Sequence, residues 1–251
     1  MFRTARFRGC RHSAMSMPDL SPILKAGPFR GKLFPEQASQ AIAAAISCAN
    51  EHFKTAELLY EHGRFAHCVS SSVLAIEEAG KLPLIMHILL FTEPSEKWRE
   101  YSNHLAKTRH LNFGIEQQTK INFPVAPPGL AEHIGNLGPA SETLEKTKQR
   151  ASYSDCITVK GKCHVHDPSN VEWKEIAKYV LDDARVFVRS LRPKTAAELS
   201  IWLSHAKACQ KEGRAFDSEL PSLERSLREA GFIKEGCWKT ILAETGKTPL
   251  S

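Results

Sequence analysis

The chain has 251 residues, of which 42% are hydrophobic and 25% are charged, and this ordinary globular composition excludes a disordered or fibrous protein. The longest apolar runs are far shorter than the ~20 residues that a membrane-spanning helix needs, so no membrane association is expected. The formal net charge of +6 is concentrated in residues 1–35, which carry seven basic side chains and one acidic one. The remainder is neutral, so the total charge is no evidence for a nucleic-acid-binding surface on the folded domain.

The segment 1–35 is predicted to be a basic, flexible tail. It is rich in arginine and poor in acids, which is typical of a transit peptide and equally of an arm that binds phosphate groups. A third interpretation is that the true start codon is Met15 or Met17. The segment has no long apolar core of a secretory signal, and seven scattered cysteines favour a reducing compartment, so a cytoplasmic location is expected.

Helical periodicity and end signals then predict six helices in chain order: 36–62, 64–91, 95–122, 139–152, 170–192 and 195–212. The second should bend near Pro83. Residues 153–170 are predicted to be a polar loop, because no sustained alternation of apolar and polar residues marks a strand. The fold class is therefore all-α: an up-down antiparallel helical bundle over 36–193, followed by a C-terminal helical extension over 194–251.

The second predicted helix is nearly all apolar, yet it contains three neighbouring charges, Glu77, Glu78 and Lys81. Glu77 and Lys81 are four residues apart and Glu78 and Lys81 are three apart, so both pairs can meet on the helix surface. Charges in such an apolar helix must be paired or must face a cleft. A buried structural ion pair and a functional pocket are both open interpretations, and Gly80 would allow a backbone or a ligand to approach closely.

The third predicted helix carries His104, Lys107 and His110 at intervals of three residues, within reach of one helix face. An imidazole beside an ammonium group can serve as an acid or base next to a charge stabiliser, as phosphoryl chemistry needs. The alternative is an ordinary solvated face.

The fourth predicted helix has Arg150 in its last turn, and Tyr153 and Asp155 follow at the start of the predicted loop. Arg150 suits a phosphate or carboxylate ligand. The alternative is a basic residue that stabilises the negative end of a helix.

A cysteine–histidine group follows within the predicted loop, formed by Cys156, Cys163, His164 and His166. Zinc needs four ligands held tetrahedrally, but this spacing matches no zinc module and contains no C-x2-C pair. A polar loop that happens to hold these residues is the favoured interpretation.

The order of these motifs resembles the AbiV family of abortive-infection proteins. The resemblance rests on HGRFAHCVSSSVLAIEEAGK, with E-E-x-G-K at Glu77–Lys81, then H-x-x-K at His104 and R-x-x-Y-x-D at Arg150. It covers roughly residues 38–190. The family is placed in the HEPN superfamily, so the resemblance implies an up-down helical bundle, usually a homodimer. Many HEPN members are metal-independent ribonucleases that act in phage defence or in toxin systems.

The resemblance implies a bacterial abortive-infection effector, and, if it cleaves RNA, the following roles. His104 would move the proton of the 2′-hydroxyl or of the leaving oxygen, and Lys107 and Arg150 would stabilise the phosphorane. Glu77 or Glu78 would orient them. The expected catalytic residues also include Lys81 and Tyr153. Substrate contacts are expected from Arg99, His110 and Asp155. No metal or cofactor is expected.

The arginine–histidine motif of HEPN ribonucleases, R-x4–6-H, has matches only at Arg6–His12 and Arg99–His104, a number that chance alone explains. Near the last core helix, where the motif usually lies, this chain has Arg150 and Tyr153 instead. Tyrosine, with an ordinary pKa of about 10, is a poorer general base at neutral pH than histidine. The alternative function is therefore a non-catalytic binding module that sequesters a component of the host or of the phage.

Overall fold

The computed structural model describes residues 26–91, 94–103, 107 and 144–233. The helices over these residues are α1 Pro35–Glu61, α2 Phe65–Ala79, α3 Lys81–Leu90, α4 Pro94–Tyr101, α5 (144–152), α6 Lys174–Ser190, α7 Ala196–Glu212 and α8 Leu220–Glu229. Two strands, β1 Asp155–Val159 and β2 Lys162–His166, form a hairpin, and 3-10 turns lie at Pro168–Asn170 and Phe216–Glu219. The prediction of an all-α, HEPN-like helical fold is confirmed.

Helix α1 forms where its sequence signals predicted it. Pro35 occupies the first turn, where a missing N–H costs nothing, and the Phe34 N–H donates to Oε1 of Gln37 at 3.1 Å. Gly63 follows the helix with φ +69°, a left-handed conformation that glycine adopts without steric cost. The buried face of α1 is mostly alanine, which allows α2 to pack closely against it as its next neighbour in the bundle.

The second predicted helix is divided into α2 and α3 at Gly80, three residues before Pro83, near which a bend was predicted. Pro83 is the third residue of α3 and so lies in its first turn. Backbone N–H groups there make no helical hydrogen bonds, so the missing N–H of proline is tolerated. The break therefore follows the glycine and not the proline.

The third predicted helix, 95–122, is interrupted after Tyr101, where α4 ends. The Ser102 hydroxyl donates to the carbonyl of Trp98, and the Asn103 N–H bonds to the carbonyl of Glu100, so local bonds replace the regular helical ladder. The remainder of that prediction, and the part of the fourth predicted helix before residue 144, lie outside the described residues apart from Lys107.

The hairpin corrects the prediction of a polar loop over 153–170. Lys160 and Gly161 form a two-residue turn with φ of 50° and 76°, as in the type I′ turn that joins antiparallel strands. The strand β2 is almost fully exposed, so it lacks the alternation of buried and exposed residues that reveals most strands. Nε2 of His166 lies 2.7 Å from the carbonyl oxygen of Arg150, which joins the hairpin to the end of α5.

The buried side chains form two hydrophobic clusters on either side of the break at Gly80. The first lies between the C-terminal half of α1 and the helices α2, α5 and α6, and Phe187 of α6 is fully buried in it. The second lies between the N-terminal half of α1 and the helices α3, α7 and α8. The described helices of the C-terminal segment, α7 and α8, contribute to this second cluster together with α1 and α3.

Within the described residues, no helix has both the length and the apolarity that crossing a membrane requires.

Candidate functional site

Six charged side chains from three helices and from Lys107 gather where α2 meets α3, and we call them the junction cluster. They are three acids and three lysines: Glu77, Glu78, Lys81, Lys107, Glu145 and Lys148. The sequence predicted four of them as site residues, and it missed Glu145 and Lys148. Both missed residues belong to α5. Nothing in the sequence of α5 indicated that Lys148 contacts Glu77, which lies 71 residues earlier in the chain.

The centre of the junction cluster is the ion pair between Glu77 and Lys148. Glu77 is only 2% exposed, and its Oε1 accepts a hydrogen bond from Nζ of Lys148 at 2.6 Å. The same ammonium group contacts Oε2 of Glu145 at 2.7 Å. Burial lowers the pKa of Lys148, but the hydrogen bonds to Glu145 and Glu77 together raise it above its ordinary value. Lys148 is therefore a permanent cation that neutralises the buried carboxylate.

The second pair of the cluster is Glu78 with Lys81, joined at 2.6 Å between Oε2 and Nζ. This pairing within one turn was predicted from the spacing, whereas Glu77 bonds to Lys148 across the bundle. Nζ of Lys81 also lies 5.6 Å from the ring centre of Tyr101, within the range of a cation–π contact. Burial raises the pKa of Tyr101, so its hydroxyl stays protonated at neutral pH.

Lys107 enters the cluster against Gly80. A β-carbon on Gly80 would stand 2.7 Å from the carbonyl carbon of Lys107 and would overlap its oxygen, so the close approach requires glycine. This is the role the sequence suggested for Gly80. The side chain of Lys107 is buried, and burial, assisted by the nearby charge of Lys81, lowers its pKa.

The structure does not bring every predicted site residue to this place. Tyr153 is 63% exposed at the end of α5, and Arg99 is exposed on α4. Arg150 lies two residues after Lys148, which places its side chain on a different side of α5. Asp155 begins β1. His104 and His110 lie outside the described residues.

The four cysteine and histidine residues of the hairpin do not converge. The register places Cys156 opposite Val165, so these two side chains lie on the same face of the hairpin. Side chains alternate along β2, so Cys163 shares the face of Val165, and His164 and His166 lie on the other face. Over the ranges that the structure describes, no group of three or more possible ligands is placed to hold a metal ion.

The junction cluster coincides with the E-E-x-G-K motif on which the family resemblance rests. A family model described as AbiV matches residues 37–189, well over half of the chain. The chain belongs to the AbiV family of HEPN proteins. No curated protein and no solved structure matches it. In this AbiV chain, the whole junction cluster lies inside the matched range, and α7 and α8 lie outside it.

A second buried ionic group joins the AbiV region to the C-terminal helices. Glu198 of α7 is 1% exposed and bonds to two cations, with Arg192 Nη2 at 2.7 Å and Lys194 Nζ at 3.0 Å. The carbonyl of Lys194 accepts a hydrogen bond from the Ser39 hydroxyl of α1 at 2.7 Å. This group connects α7 to α1, so it is a structural contact between the two parts of the chain.

Chemically, the junction cluster can hold charges in fixed positions more readily than it can bind a free anion. Its three carboxylates and three ammonium groups balance, and its central pair is shielded from water. Buried, balanced ion pairs have little spare positive charge for a phosphate group.

Proposed function

We propose that this chain is an abortive-infection effector of the AbiV type whose functional centre is the junction cluster. Membership of the family suggests the biological role. The observation that supports the junction cluster as the functional centre is the placement of six charges at the break between α2 and α3. Strong electrostatic coupling of this kind is enriched at functional sites.

The geometry favours a non-catalytic mode, in which the bundle binds and sequesters a host or phage component. Glu77 is buried and ion-paired, and a nuclease site would instead need a basic surface open to the RNA backbone. Tyr153, expected in the site, lies on the outside. In this mode the cluster holds α2, α3 and α5 in the orientation that the binding surface requires.

Metal-independent RNA cleavage is the second candidate, and Lys107 is the observation in its favour. A lysine whose pKa is lowered by burial and by a neighbouring cation gives up its proton more readily than a surface lysine does. In this mode Lys107 would act with His104, the base expected from the sequence, on an RNA phosphodiester.

One expression experiment separates the two modes. The wild type, His104→Ala, Lys107→Met and the control Lys54→Met would be induced in bacteria while growth, phage yield and bulk RNA integrity are followed. Lys54 is a suitable control because its side chain is 65% exposed and its ion pair with Glu51 lies on the surface of α1.

Growth arrest or reduced phage yield with intact RNA supports the non-catalytic mode. RNA breakdown that is lost in His104→Ala and Lys107→Met, but kept in Lys54→Met, supports cleavage. A wild type that changes neither growth nor phage yield would contradict the proposed role as an effector.

A further inference from the structure

Three polar side chains of the C-terminal extension are hydrogen-bonded in series, outside the range that matches the AbiV family. His205 of α7 lies at the centre, with Nδ1 at 2.7 Å from Oε1 of Glu219 and Nε2 at 3.0 Å from the hydroxyl oxygen of Ser226 on α8. The other carboxylate oxygen of Glu219 accepts a hydrogen bond from Arg214 at 2.8 Å. The side chain of His205 is 15% exposed and Ser226 is partly exposed, so the series lies at the edge of the helices.

The chemistry of these groups determines the direction of each hydrogen bond. Hydrogen bonds from His205 and from Arg214 lower the pKa of Glu219, so it is an ionised carboxylate that can only accept. Nδ1 of His205 must therefore carry the proton. In the neutral imidazole Nε2 is then an acceptor, and the partner that donates to it is the Ser226 hydroxyl.

We infer that Ser226 is a nucleophile, with His205 as its general base, which accepts the acyl group of an activated ester. Both hydrogen-bond distances lie within the range expected for a nucleophile, its base and the group that orients the base. Glu219 and Arg214 are positioning residues, because they act through the imidazole and not on the reacting atoms.

The position of Ser226 within α8 restricts the class of substrate. It is the seventh residue of a helix that spans Leu220–Glu229, beyond the first four residues whose N–H groups are free of helical bonds. Its own helix therefore supplies no backbone donor for a developing oxyanion. Esters with good leaving groups, such as aryl esters, depend least on such a donor.

The ester and one water molecule are the only reactants that the reaction needs. The Ser226 oxygen attacks the carbonyl carbon while its proton moves to Nε2 of His205. The bond between that carbon and the leaving oxygen breaks, and Nε2 gives the proton to the leaving alcohol. The products are an acylated Ser226 and the free alcohol, and attack by water then releases the carboxylic acid.

A fluorophosphonate probe tests this inference on the full chain, since it bonds covalently to nucleophilic serines and releases fluoride. Ser222, exposed on the same helix one turn earlier, is an internal control. Cleavage after Glu224 separates the two serines into different peptides for mass spectrometry. General-base assistance typically contributes ~100-fold or more, so labelling of Ser226 should be about 100-fold faster than that of Ser222.

His205→Gln keeps a polar side chain at this position but lacks the base, and should reduce the labelling of Ser226 to the rate of Ser222. Release of p-nitrophenol from p-nitrophenyl acetate should fall to the uncatalysed rate in Ser226→Ala. Labelling of wild-type Ser226 less than about 10-fold faster than Ser222 would overturn the inference, and this comparison within one protein needs no variant to fold. Because these residues are outside the junction cluster, either result leaves the proposed effector role unaffected.

Discussion

The carbonyl group of Lys107 lies directly against the Cα of Gly80, at the point where α2 ends and α3 begins. Gly80 and Lys107 are 27 residues apart in the sequence. Their contact brings the Lys107 ammonium group to the other charges of the junction cluster. The absence of a side chain at Gly80 is what permits it.

Gly80→Ala should therefore destabilise the protein by about 1–3 kcal/mol, the usual cost of forcing an extra group into a packed contact. The added methyl group would have to displace a backbone carbonyl, which cannot rotate away as a flexible side chain can. Urea denaturation would measure the change. Gly27→Ala is a matched control, because a β-carbon there meets no atom within 4 Å, and an equal loss in both variants would contradict the steric explanation.

Lys148→Met should cost about 3–5 kcal/mol in the free energy of unfolding, since it leaves the buried Glu77 carboxylate without this partner. The exposed pair of Lys54 and Glu51 is the comparison, and Lys54→Met should change the stability by less than about 1 kcal/mol. Denaturant midpoints of the two variants provide the test. A small effect of Lys148→Met would mean that water reaches Glu77 and that the cluster is an open cleft.

The stability of the protein should depend on pH through Lys194. Burial lowers the pKa of Lys194 to about 8 from its ordinary value of 10.5, despite the nearby Glu198. Between these values the unfolded chain binds the proton and the folded chain does not, so this residue makes stability rise with pH, by at most about 1.4 kcal/mol per pH unit. The unfolding free energy of the wild type minus that of Lys194→Met should be more positive at pH 10 than at pH 7.5. A difference that is equal at the two pH values would show that Lys194 titrates normally.

Deletion of residues 1–30 should leave the unfolding free energy nearly unchanged, whereas deletion of 1–34 should lower it by about 2 kcal/mol. Leu33 is buried in the second hydrophobic cluster, and the Gly31 carbonyl accepts a hydrogen bond from the Trp98 indole at 2.7 Å. Thermal or urea unfolding of the two truncated proteins compares them directly. Equal stabilities would show that residues 31–34 belong to the tail, which the sequence predicted over 1–35.

The protein should form a homodimer, as the family resemblance implies. Helix α2 packs against α1 and α6, so its apolar face lies inside the bundle. The exposed apolar residues Ile176 and Tyr179, one turn apart on α6, are now the better candidates for the contact. Light scattering should give twice the 28.0 kDa of one chain, and the double variant Ile176→Glu, Tyr179→Glu should return it to 28.0 kDa. A wild type of single mass would rule out the dimer.

Local signals in the sequence were sufficient for much of the fold. Pro35 and Gly63 marked the ends of α1, and the spacing of Glu78 and Lys81 predicted their ion pair, because each effect acts within one or two helical turns. The exposed hairpin was missed because strands without a buried face lack the period-two pattern.

Tertiary structure decided which of the possible charge pairs form. Glu77 had a suitable partner four residues away, yet it bonds to Lys148 on a helix far along the chain, and Glu219, His205 and Ser226 come together from three separate elements. The sequence by itself determined the helical class and the family, since these depend on periodicity and on local motifs. The partners of the buried charges depend instead on how the helices pack. A buried charge without a partner costs free energy, so each one pairs with the opposite charge that helix packing brings next to it.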